Sequence, residues 1–233
     1  MAVDENRRPI SQRSHAWAKW LTGVLVKANV APNLISFTSI VWASLAGLCF
    51  YATSIATNAG DRVMLCLGAA LFCQLRLLAN MMDGMVAVEA GKASKDGMIW
   101  NELPDRFADI AVLVGAGYAV AHLHLADAAL GWAAAVAAVM TAYVREVGHT
   151  AGAPADFSGP MAKPHRMFVM TMAALLSIVD DRIGPVINFF LTGVHGIAGE
   201  GALITLGLWV VLIGATFTAL NRARHALAFL NKS

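Results

Sequence analysis

Charge is scarce in this chain: Asp, Glu, Lys and Arg make up 14% of its 233 residues, against a hydrophobic share of 58% and a mean hydropathy of +0.62. Soluble domains carry about a quarter charged residues, so the composition excludes one of this size and makes lipid the main solvent. Cysteine is scarce too. Cys49, Cys66 and Cys73 lie in apolar stretches, with no metal-ligand spacing and no evident disulfide pairing, and packing is their expected role. A leader with a short apolar core and a small-residue cleavage site is missing, so nothing is expected to be removed. No linker or internal repeat divides residues 1–233, which are expected to form a single membrane domain. The net charge of +2 says little by itself, and no nucleic-acid partner is expected.

Long apolar runs are what the chain does have. About 20 residues at about 1.5 Å each cross the hydrocarbon core, and runs near 34–54, 63–88, 101–122, 127–148, 166–186 and 201–224 are that long. The expectation is an all-α membrane protein with six transmembrane helices. Before them, over residues 12–28, Trp17, Trp20, Leu21, Val24 and Leu25 follow helical spacing with Lys19 and Lys27 off the stripe. That pattern suits an amphipathic helix in the membrane interface, or one packed on the ends of the bundle.

Basic residues set the orientation. Arg7, Arg8, Arg13, Lys19 and Lys27 precede the first run, Arg222, Arg224 and Lys232 accompany or follow the end of the last, and Lys92, Lys95, Lys163 and Arg166 fall at the even-numbered connections. By the positive-inside rule both termini are cytoplasmic. Arg62 and Arg182 are the basic residues expected on the far side.

Polar side chains inside a span need a partner, a cavity or a function. Arg76, Asn80, Asp83, Gly84 and Ala87 share one helix face, and Asn101, Asp105 and Asp109 follow at i, i+4, i+8 on the next helix. Joined by a short cytoplasmic loop, the two faces can meet. Oxygen ligands at such a boundary suit Mg²⁺ or Mn²⁺ with phosphate completing the shell, which makes phosphoryl transfer the hypothesis, with a free carboxylate accepting a hydroxyl proton.

The run Asn80-x-x-Asp83-Gly84-x-x-Ala87, followed after Val88 by eight residues and then Gly97-x-x-x-Asn101-x-x-x-Asp105, resembles the signature of the CDP-alcohol phosphatidyltransferases, in which four aspartates stand where Asn80, Asp83, Asn101 and Asp105 stand here. Tyr143-Val144-Arg145 is similar as well. The resemblance implies that Asn80, Asp83 and Asn101 join the metal shell, that Asp105 is the general base, and that Gly84, Ala87 and Gly97 line the nucleotide. It also implies a CDP-linked lipid donor, a small hydroxyl acceptor, membrane lipid and a homodimer. The active site of such an enzyme would face the cytoplasm from the inner membrane. Two of the four aspartates are Asn and the expected Arg is Val88; Glu89, Glu102 or Asp109 are candidates for the missing carboxylates.

Other readings stay open on the residues alone. Asp83 could pair with Arg76 or Arg106, Asp109 could be a structural partner, and Asn101 could cap a third helix that begins near Pro104. Arg145, Lys163, His165 and Arg166 suit a phosphorylated acceptor, though Arg145 could simply pair with Glu146 and the others could be topology charge. His122, His124 and Asp127 are conceivable zinc ligands but better read as loop residues. A catalytically inactive CDP-lipid-binding relative and a transporter using the intramembrane Arg/Asp cluster are the rival functions. With two divalent ions and a doubly negative pyrophosphate, two motif aspartates sum to about zero charge, so metal is expected to bind mainly together with the donor.

Overall fold

Proline and asparagine start the first two long helices. In the computed structural model, which describes residues 15–91, 97–192 and 199–232, α2 (Pro32–Thr53) opens on Pro32, whose missing N–H costs nothing in a first turn. Helix α3 (Ala59–Glu89) is capped by Asn58, whose side chain accepts from the Asp61 N–H at 2.8 Å. Before them lies α1 (Ala16–Lys27), and after them α4 (Gly97–His122), α5 (Ala129–Thr150), α6 (Lys163–Leu176), α7 (Asp180–Thr192) and α8 (Ala202–Leu230). The described residues contain no strand. Arg7, Arg8, Arg13, Lys92 and Lys95, which carried part of the topology argument, lie outside them.

Among the described residues four helices, α2, α3, α5 and α8, are long and apolar enough to cross a membrane. Helix α4 matches the third expected run, with Asp105, Arg106 and Asp109 in its first half. The fifth expected run, 166–186, is not one helix. It divides into α6, a 3-10 turn at Ser177–Val179 and α7, and the buried Asp180 at the break accepts from the Gly201 N–H at 2.9 Å.

Small residues hold the bundle together. Helices α3 and α4 each pack along α2, α5 packs along α8, and α6 lies between α3 and α8. A Cβ on Gly47 of α2 would sit 2.3 Å from the Ala111 carbonyl oxygen of α4, and one on Gly117 of α4 would sit 2.6 Å from Gly131 Cα of α5. Close backbone approach of this kind drives helix association in lipid, where burying apolar side chains gains little. Gly207 and Gly214 let α8 approach Ala173 and Met161 closely. Cys66 and Cys73 are buried as free thiols and Cys49 is half-buried.

Helix α1 lies against α3 through Ala18 and Thr22, with the Thr22 hydroxyl 3.9 Å from the sulfurs of Met82 and Met85. Trp17, Trp20 and Val24 remain exposed. The two sequence readings of this segment therefore combine: one face packs on the bundle and an apolar stripe faces outward.

The connection from α5 to α6 is pinned to α8. Arg222 donates to the Thr141 and Ser158 carbonyls at 2.7 and 2.9 Å, Met161 N–H donates to the Thr218 hydroxyl at 3.0 Å, and His225 meets Asp156 at 2.8 Å. Burial would raise the Asp156 carboxyl, but the hydrogen bonds from Ser158 and His225 outweigh it and hold the group below its ordinary value. Gly159 turns in this loop at φ +113° against Thr218, a conformation open to glycine. Fixed in this way, the loop delivers Lys163 at the start of α6.

Candidate active site

The polar face of α3 and the first half of α4 meet at one end of the bundle. Asn80 Nδ2 donates to Asp105 Oδ1 at 2.9 Å, so the first and last positions of the motif touch across the two helices. Lys163 closes a triangle with them: its ammonium donates to Asn80 Oδ1 at 2.5 Å and to Asp105 Oδ2. Asp105 is 1% exposed, yet Lys163 keeps part of its side chain open to solvent.

Asp83, one turn along α3 from Asn80, is also buried. Its partners are neither Arg76 nor Arg106. One oxygen accepts from the Ser36 hydroxyl of α2 at 2.6 Å and the other from the Gly84 N–H at 2.5 Å. Ser36 is a site residue that the sequence did not single out. The available signal was a hydroxyl one turn after Pro32, with Thr38 and Ser39 close behind it, a pattern as easily read as span packing.

Behind this layer lies a buried ion triad. Asp109 accepts from Arg76 at 2.9 Å and from Arg166 at 2.6 Å, and all three side chains are almost wholly enclosed. Arg166 also donates to the Met161 carbonyl at 2.8 Å and to the Thr141 hydroxyl at 3.2 Å. Arg76 reaches forward to the Asp105 carbonyl at 3.3 Å and its carboxylate at 3.4 Å, tying the two layers together. A carboxylate bridging two guanidiniums satisfies charges that could not be buried singly. The triad carries one net positive charge.

A third group sits at the rim. Glu102 pairs with Arg145 at 2.7 Å and with Arg106 at 3.1 Å, and Arg145 also pairs with Glu146 at 2.7 Å and lies 4.9 Å from the Phe157 ring centre. Here charges balance. Gly84 is buried beside Asp83, Ala87 is half-buried one turn on, Glu89 is exposed at the end of α3, and Gly97 begins α4. His165 is exposed and outside these contacts. Asn101 lies inside α4, and its side chain is outside the described residues. Because α4 starts at Gly97, Asn101 does not cap a helix beginning near Pro104; Pro104 instead lies within α4, where its ring removes a main-chain hydrogen bond and strains the turn before Asp105.

The oxygen donors suit a hard divalent cation. Asp83 and Asp105 supply two negative charges and Asn80 a neutral amide oxygen, enough to balance one such ion. Lys163 already engages Asn80 and Asp105, so these oxygens are shared with its ammonium. Among the described residues no three His, Cys, Asp or Glu side chains converge as a metal site. This holds at the far end too, where His122 stacks edge-on with Tyr51 and Asp127 accepts from the Ala129 N–H.

No protein-family model matches the chain, and no curated protein matches it in sequence. Its structure is similar to that of Mycobacterium tuberculosis phosphatidylinositol phosphate synthase in complex with manganese and citrate, with a TM-score of 0.67, 16% identity, and 89% of this chain and 87% of that one covered. The same synthase with CDP-DAG bound gives a TM-score of 0.66 at 16% identity over 88% and 91% of the two chains. Its apo form gives 0.64 at 15% identity over 89% and 94%. The fold is that of the CDP-alcohol phosphatidyltransferases. In a chain with this phosphatidyltransferase fold, the motif legible in the sequence coincides with the polar layer where Asn80, Asp105 and Lys163 meet.

Proposed function

We propose that the protein transfers a phosphatidyl or similar substituted phosphoryl group from a CDP-linked lipid such as CDP-diacylglycerol to the hydroxyl of a small acceptor, with CMP leaving, as a step of phospholipid synthesis. The observation that carries this reading is the contact of motif residues Asn80 and Asp105 across α3 and α4, in a fold shared with a synthase that binds CDP-DAG. The chain would be a single domain of six spans, with α6, the 3-10 turn and α7 forming a broken fifth. Both termini and the site would face the cytoplasm of the inner membrane, and the working unit would be a homodimer.

Within that reading Asp105 is the general base. It accepts the acceptor's hydroxyl proton once Lys163 turns away from it, and the hydroxyl oxygen then attacks the phosphorus that bears the lipid. The phosphorus–oxygen bond to CMP breaks as the new bond forms, leaving the electron pair on CMP. Asp83, Asp105 and the amide oxygens of Asn80 and Asn101 would hold Mg²⁺ or Mn²⁺, which supplies charge neutralisation at the pyrophosphate and its leaving group. Asp83 is kept aligned by Ser36 and the Gly84 N–H. Gly84, Ala87 and Gly97 would leave room for the nucleotide, and Arg145 and the exposed His165 would meet a polar acceptor. Arg166, held by Asp109, supports this end from behind.

A second reading has its own support. Asn80 and the Lys163 contact on Asp105 are also what a CDP-lipid-binding relative without transferase activity would have. Incubating the purified protein with CDP-diacylglycerol, Mn²⁺ and a panel of polyol and phosphorylated-polyol acceptors, followed by lipid mass spectrometry, separates them. A new phospholipid together with CMP supports transfer; donor binding with neither product supports the inactive relative.

A further inference from the structure

The contacts of Lys163 change the charge count at the site. Its ammonium bonds to Asn80 Oδ1 and Asp105 Oδ2, the first and last positions of the motif, while the loop before it is fastened to α8 through Met161, Ser158 and Asp156. A lysine delivered by an anchored loop to two motif oxygens is part of the site. The motif has lost negative charge at the very positions, Asn80 and Asn101, where four aspartates would balance two divalent ions.

We infer that the Lys163 ammonium serves as a built-in second cation, so that the site takes one divalent ion per protomer together with the CDP-linked donor rather than two. This rests on the transferase reading and says how its site is charged. Asp83 and Asp105 bring about two negative charges, the pyrophosphate about two more, and Lys163 and the Arg76–Asp109–Arg166 triad about one positive charge each. The Glu102, Arg106, Arg145 and Glu146 rim is neutral. One divalent ion then brings the enclosed complex to about zero net charge, and a second would leave about two uncompensated positive charges in a region of low dielectric. Without the donor the same count is already near zero, so the free site has little pull on metal. Metal and nucleotide therefore enter together, each strengthening the other.

Lysine suits this position better than arginine would. Its ammonium is a compact point charge on a flexible stem, able to leave Asp105 when the acceptor hydroxyl arrives and to stay beside the pyrophosphate. A fixed ion would not move with the reaction in that way.

The test counts ions. The full-length protein in detergent is titrated with Mn²⁺, with and without saturating CDP, and free Mn²⁺ is read by electron paramagnetic resonance while CDP binding is followed by calorimetry. One Mn²⁺ per protomer with CDP, and weak binding without it, is expected. Lys163→Gln should tighten Mn²⁺ binding to the nucleotide-free protein by at least about tenfold, because a like charge a few ångströms away is gone. The combination of Lys163→Gln, Asn80→Asp and Asn101→Asp should bind two. Two Mn²⁺ per protomer in the parent, or an unchanged Mn²⁺ affinity in folded Lys163→Gln, would overturn the inference and leave the transferase reading standing. CDP binding with no Mn²⁺ would also overturn it. Absence of CDP binding would overturn the transferase reading, and this inference with it. The count on the parent decides the matter even where the variants do not fold.

Discussion

At Asp109 both carboxylate oxygens are held by guanidiniums, Arg76 on one and Arg166 on the other, with no exposure to solvent. Removing the carboxylate leaves two cations buried against each other, so Asp109→Ala should destabilise the protein by about 3–5 kcal/mol, seen as an earlier thermal transition in detergent. Asp105 and Asp83 should behave differently. Asp105→Asn is expected to abolish CMP release while CDP binding is retained, since a base is required for the chemical step and not for docking. Asp83→Asn is expected to weaken Mn²⁺ and CDP binding together. Equal turnover by parent and Asp105→Asn, measured with the same donor and acceptor, would remove Asp105 from the role of base.

Helices and their contacts explain which parts of the fold the sequence made legible. Hydropathy located α2, α3, α5 and α8 because each is a long apolar run, and the i, i+4, i+8 spacing brought out Asn101, Asp105 and Asp109 because a helix repeats every 3.6 residues. The break after Leu176 had a signal in Asp180, Asp181 and Arg182, which interrupt the run, but Ser177, Ile178 and Val179 are as apolar on average as a span interior and the contact that fixes the break, Asp180 to the Gly201 N–H, is tertiary. Ser36 and the Lys163 triangle were hidden for the same reason: sequence spacing gives faces within one helix, not partners across 47 or 58 residues. The α2–α4 contact offers a test at this scale. A side chain on Gly47 has nowhere to go against the Ala111 carbonyl, so Gly47→Leu should prevent the two helices from closing, read as loss of a monodisperse peak in size-exclusion chromatography. Gly23, with open space around it, should tolerate Ala.

On the scale of the whole molecule, a membrane bundle built on small-residue contacts carries a polar layer at one end. The donor's tails would stay in the bilayer while its pyrophosphate reaches Asp83 and Asp105, and a polar acceptor would arrive from water. Cysteines placed at the N-terminus and at Lys232 in a background lacking Cys49, Cys66 and Cys73 should both be labelled from the cytoplasmic side by an impermeant maleimide. Labelling of one end only would mean an odd number of spans. The central claim, that this polar layer catalyses phosphatidyl transfer, is tested most directly by CMP release from CDP-diacylglycerol by the purified protein, with Mn²⁺ and a hydroxyl acceptor, beside Asp105→Asn under identical conditions. Acceptor-dependent CMP release by the parent, matched mole for mole by new phospholipid and absent from the variant, is expected. Release that is absent from the parent across the acceptor panel, or equal in both proteins, would contradict the account.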